Sequence, residues 1–202
     1  MSLSDTEIWD LADRMNVPLT FVGFKDELKG KKLQYNKSYI INMENEYDED
    51  GFKNTGSHYT CFQVNKYKNG KVEPIYFDSF GMPPPEIVEK FVGRKLPYPT
   101  KDIQSLMNSA CGWYCLAFLH TINEWEGRSG DLYTDAGFFT DLFEDLNHST
   151  EHLKNEWILK HFFRSADPSK RKPVEINGMS VGRQEPNPDT IITEDDDYKK
   201  KL

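Results

Sequence analysis

The sequence predicts an α+β domain: a mixed sheet of about five strands packed on one central helix. Three observations carry that expectation. Strand-like runs end by residue 78, and three of the five helical segments follow residue 110. Residues 112–125 are apolar nearly all round, which marks a buried helix and not a surface one. Between two strand-like runs stands Lys68-Asn69-Gly70, a hairpin turn signal.

The elements follow in order. Ser4-Asp5-Thr6-Glu7 reads as a capping box, and Ile8, Trp9, Leu11, Ala12 and Met15 recur at helical spacing. The spacing predicts a helix over 5–15, which Pro18 ends. Residues 19–24 and 38–42 read as short strands, and 43–57 as an acidic loop. Residues 58–64 and 74–78 read as the two strands of the hairpin. Pro83-Pro84-Pro85 breaks the chain before a short helix at 86–92. Two amphipathic helices are expected at 135–146 and 150–163. The domain is thus expected over 1–163. From Arg164 the composition turns to Pro, Asp, Lys, Gly and Ser, and 164–202 reads as an extended or disordered tail.

Composition excludes several function classes. The 202 residues carry a net charge of -8 and a pI of about 5.2, which argues against a general nucleic-acid binder. Three cysteines without CxxC spacing fit neither a disulfide framework nor a zinc knuckle, and point to a reducing compartment. No apolar run approaches the ~20 residues of a membrane span, and the first residues lack a secretory pattern, so neither a membrane partner nor secretion is expected.

The most informative stretch is Ser109-Ala110-Cys111-Gly112-Trp113-Tyr114-Cys115. It places a thiol at the head of the apolar helix. Unpaired N–H groups and the positive dipole end there favour thiolate, the nucleophilic form. A thiolate nucleophile needs a base, a group that orients the base, and oxyanion donors. His58 opens a hairpin whose second strand ends in Asp78. A two-residue loop at Asn69-Gly70 would put Asp78 opposite Cys61 and turn it away from His58. A three-residue Lys68-Asn69-Gly70 loop puts Asp78 opposite Thr60, one diagonal step from His58 and on its face. Gly70 suits the left-handed third position of that loop, so the longer loop is expected. Gln104, seven residues before Cys111, could pair its amide N–H with the Cys111 backbone N–H as an oxyanion hole.

Gly56-Ser57-His58-Tyr59, Tyr76-Phe77-Asp78-Ser79-Phe80-Gly81 and the stretch from Gln104 to Cys115 resemble the adenovirus-type cysteine endopeptidases. These are maturation proteases of non-enveloped DNA viruses. The likeness covers about residues 1–125, weakly in the first helix and in Leu19-Thr20-Phe21-Val22-Gly23. The seven-residue spacing from Gln to Cys is specific; related ubiquitin-like-protein proteases usually have six. The resemblance implies a papain-like fold in permuted chain order. It implies Cys111 as nucleophile, His58 as base, Asp78 as orienting acid and Gln104 as oxyanion donor. It also implies viral capsid or other structural precursors as substrates, in the virion and the host-cell viral factory. Two departures stand out. Tyr59 replaces the usual Trp, and Asp78-Ser79 is closer to ubiquitin-like-protein deconjugases than to the adenovirus Glu. Such mixtures resemble the proteases of virophages, Polinton-like elements and large DNA viruses. Adenovirus enzymes use a disulfide-linked basic peptide and DNA as activators. This chain is acidic and has no cysteine in 79–110, so neither cofactor is expected, and the protein is expected to be a monomer. A ubiquitin- or SUMO-like deconjugase and an inactive capsid-binding scaffold are the alternatives.

The remaining candidates have plainer readings. Cys115 and Cys61 are expected to be core residues. His148 and His152 are spaced for a metal on a helix face, but no third ligand is evident. Ile176-Asn177-Gly178-Met179 resembles the cleavage pattern of the same family and could make the tail a substrate mimic. Glu194-Asp195-Asp196-Asp197 and Lys199-Lys200-Lys201 read as solvated charge.

Overall fold

A computed structural model describes residues 2–124, 128–147, 149–166, 174–176 and 179–181. Among these, five α-helices and a four-stranded mixed sheet form an α+β domain. The sheet contains β1 (Leu19–Phe24), β2 (Ser38–Asn42), β3 (Tyr59–Lys66) and β4 (Val72–Phe77), in that spatial order. β1 runs parallel to β2; the other pairs are antiparallel. The main sheet therefore has one strand fewer than the five expected. A separate antiparallel pair, β5 (Val174–Ile176) and β6 (Met179–Val181), lies in the segment read as a tail.

Strand alternation explains two cores. Ile40, Cys61, Ile75 and Phe77 pack on one side with α1 (Asp5–Arg14), α3 (Cys111–Glu124), α4 (Leu132–Asp141) and α5 (His152–Ala166). Tyr39, Ile41, Phe62 and Tyr76 face the other side, against Leu28 and Val88 of α2 (Glu86–Val92). All five β2 residues are consequently buried, which is why that strand reads as a continuous run. Pro74 fits inside β4 because β4 is an edge strand. Tyr76 N–H turns away from β3 to donate to Pro97 O at 2.9 Å, and Pro74, two residues back, directs its hydrogen-free nitrogen the same way.

The β3–β4 hairpin has the three-residue loop. Tyr67 N–H donates to Lys71 O at 2.9 Å, Gly70 N–H donates to Tyr67 O at 2.9 Å, and Gly70 has φ 83°. Cys61 therefore pairs with Phe77, and the same register carries Asp78 opposite Thr60.

The helices differ from expectation in their limits. The capping box is present: Glu7 N–H donates to Ser4 Oγ at 3.3 Å, and Ser4 N–H returns to Glu7 Oε2 at 2.8 Å. α4 starts three residues before the expected 135 because Asp131 caps it, accepting Thr134 N–H at 2.8 Å. α5 runs to Ala166, past the Arg164 boundary drawn from composition. His148, Asn177, Gly178 and the charged residues 194–201 lie outside the described residues, so the histidine pair and the cleavage-like motif are not described in full.

Candidate active site

Three elements supply the site. β3 and β4 present His58 and Asp78 just beyond their paired ends, and α3 presents Cys111 as its first residue. The first turn of α3 packs against Leu3 and Ile8, which a Cβ at Gly112 would meet at 3.5 Å, an ordinary contact distance. This contact draws the residues leading into α1 alongside Cys111.

His58 Nε2 lies 2.9 Å from Asp78 Oδ1. A carboxylate only accepts, so Nε2 carries the hydrogen and Nδ1 is left for the thiol. Asp78 is buried, and its Oδ1 also accepts Phe80 N–H at 2.8 Å. Gly81 N–H donates to Asp78 O at 2.9 Å and closes the turn. The Phe80 ring lies 4.7 Å from the imidazole, centroid to centroid, and backs it. The acid is thus fixed by its own turn before it fixes the base.

The Cys111 thiol and the His58 ring shift each other's proton affinity, so the two groups interact directly. Burial pushes the thiol up, but the His58 ring and the backbone N–H groups of Tyr59 and Gly112 outweigh burial and pull it below the usual value. Burial disfavours charged His58 as well. Its interactions with Asp78 and Cys111 prevail and raise it to about 9. Both displacements move the pair toward thiolate and imidazolium. Alkylation of Cys111 by iodoacetamide is therefore expected to titrate below the ordinary thiol value, and His58→Ala to move that titration upward. Cys61 and Cys115 are fully buried, and burial pushes the Cys115 thiol up. Peptide mapping after brief labelling should find the label on Cys111 and on neither of them.

Gln104 is buried beside the acid. Ser79 Oγ donates to its Oε1 at 2.7 Å, and its Nε2 donates to Asn108 O at 3.1 Å. The Asn108 carbonyl, which can only accept, fixes which end of the amide is the donor. Among the described residues no acceptor takes the second Nε2 hydrogen, and Gln104 bonds to none of His58, Asp78 and Cys111. Asn108 continues the loop toward the nucleophile, accepting Ala110 N–H at 3.2 Å and donating to Glu156 at 2.8 Å.

Sequence reasoning did not assign Ser79, Asn108 or Asn42. Asn42 Oδ1 accepts Glu44 N–H at 3.0 Å and Ser57 N–H at 3.2 Å, fixing the chain that delivers His58. A cavity of about 630 Å³ reaches Cys111; Ser4, Asp5, Glu7, Lys53 and Tyr59 are among its walls. Among the described residues no cluster of metal-ligating side chains is present, and no helix is long and apolar enough to cross a membrane.

No protein-family model matches this chain, and no curated protein matches it significantly.

Proposed function

We propose that this protein is a cysteine endopeptidase with a papain-like catalytic arrangement in permuted order, similar to the adenovirus-type maturation proteases. The observation that supports it best is the Asp78–His58 bond beside a Cys111 thiol that the His58 ring pulls down at the head of α3. In this reading His58 Nδ1 takes the Cys111 proton, and the sulfur attacks the scissile carbonyl carbon. The Cys111 N–H and the Gln104 amide hold the developing oxyanion. Collapse breaks the C–N bond, and His58 returns its proton to the leaving amine. Water, deprotonated by His58, then hydrolyses the thioester and frees Cys111.

Viral structural precursors in a maturing virion are the substrates this reading favours, with no metal or cofactor in the chemistry. The test is incubation with co-encoded capsid proteins, comparing wild type with Cys111→Ala by mass spectrometry. New termini that appear only with wild type support the proposal. Identical processing by both proteins would leave a capsid-binding scaffold. Cleavage only after the di-glycine end of ubiquitin-like substrates would make it a deconjugase.

A further inference from the structure

We propose that the cleft beside Cys111 selects peptides with a lysine or arginine near the scissile bond, and that Asp5 and Glu7 make the selection. This rests on the peptidase reading above. A peptide whose carbonyl carbon sits on the Cys111 sulfur must lay flanking residues in the cavity that reaches that sulfur. Along that cavity the charged side chains are Asp5, Glu7 and Lys53. Lys53 is already held by Glu46 at 3.3 Å. Among the described residues no lysine or arginine pairs with Asp5 or Glu7.

Each carboxylate commits one oxygen to the fold and leaves the other. Asp5 Oδ1 accepts the Tyr59 hydroxyl, and Glu7 Oε2 accepts Ser4 N–H and Ser4 Oγ–H, both at 2.8 Å. Among the described residues, Asp5 Oδ2 and Glu7 Oε1 accept no hydrogen bond. These anchors make the two carboxylates a fixed wall. The same capping bonds hold Glu7 below the usual carboxylate range, so it stays ionised. The N-terminus of α1 offsets about half a unit charge, which leaves the wall negative. The Cys111–His58 pair at the cavity's end has no net charge whether its shared proton sits on sulfur or on the ring. The local field therefore favours a cationic side chain over a neutral or acidic one.

Both carboxylates are exposed, so the selection is moderate and sensitive to salt. Lysine at the favoured position should raise kcat/KM about five- to twentyfold over alanine in low salt, as expected of two exposed pairs. The experiment scans one lysine through every position of an otherwise neutral, fluorogenic decapeptide set. It compares wild type, Asp5→Asn, Glu7→Gln, the double variant and Lys53→Gln. Asn at 5 can still accept from Tyr59, which keeps the wall in place. The expected result is a lysine preference at one or two positions that falls stepwise in the acid variants, rises in Lys53→Gln and fades in high salt. Peptides cleaved without a lysine preference, or with one that the double variant retains, would overturn the proposal and leave the peptidase reading intact. The same fluorescein-labelled peptides are titrated against Cys111→Ala by anisotropy. Lysine-dependent binding lost in the double variant, with no cleavage by wild type, would sink the peptidase reading and keep the cleft's selectivity. Neither binding nor cleavage would sink both.

Discussion

His58→Ala is expected to lower kcat for peptide hydrolysis by about 10³- to 10⁴-fold, since proton removal from the thiol and proton delivery to the amine both pass through this ring. Asp78→Asn should be far milder, about tenfold, because the amide Oδ1 can accept both the His58 and Phe80 N–H groups and only the charge is lost. The pH profile separates the two. His58 is raised to about 9 with Asp78 as its strongest support. In the proposed mechanism its protonated form delivers the leaving-group proton, so activity is expected to fall as pH rises through that value. Removing the carboxylate charge lowers the His58 value, and the alkaline limb of kcat/KM should move to lower pH in Asp78→Asn. An unchanged limb would mean that Asp78 positions the ring without tuning it.

Gly81→Ala should destabilise the protein by about 2–4 kcal/mol and disable the site as well. Gly81 has φ 69°, and a Cβ there would lie 2.3 Å from Thr100 O and 2.6 Å from Thr100 C. Backbone cannot swing aside as a side-chain tip can, so the turn from Asp78 to Gly81 must open. Gly70 is the control: its φ is 83°, but a Cβ there meets nothing within 4 Å. Gly70→Ala should therefore cost only the left-handed conformation, about 1 kcal/mol. Urea titration measures both shifts at constant m-value. Equal effects would mean that the Thr100 contact yields without strain.

These two glycines show where sequence was readable. Gly70 stands within a turn of three residues, and parity alone tied its loop length to the His58–Asp78 face. Gly81 is held by a segment twenty residues away, and no local pattern announces that approach. The same division runs through the site. The order of His58, Asp78, Gln104 and Cys111 stood out because thiol-protease chemistry would need those residue types. Ser79 and Asn108 were not, because their role is to hold Gln104, and serine and asparagine in loops carry no distinctive signal. Ser4 and Glu7 were recognised as a cap but not as a cleft wall; that depends on how α1 packs against α3, a long-range contact. Among the elements, β2 was legible from Tyr39-Ile40-Ile41 and α3 from apolar residues nearly all round. The start of α4 was missed because Asp131 lay outside the apolar periodicity that drew attention to residue 135.

The base and acid sit on one hairpin, twenty residues apart, whereas the thiol arrives on a helix that begins thirty-three residues later. A hairpin closes within microseconds, while docking a helix on a sheet requires most of the core. During synthesis the hairpin segment emerges before α3, and alone it is only marginally stable. Until α3 settles on β3, nothing draws the proton from Cys111, and it remains an ordinary, slowly oxidised thiol. In the proposed peptidase this order spares the nascent chain both premature hydrolysis of its neighbours and oxidative loss of the Cys111 thiol.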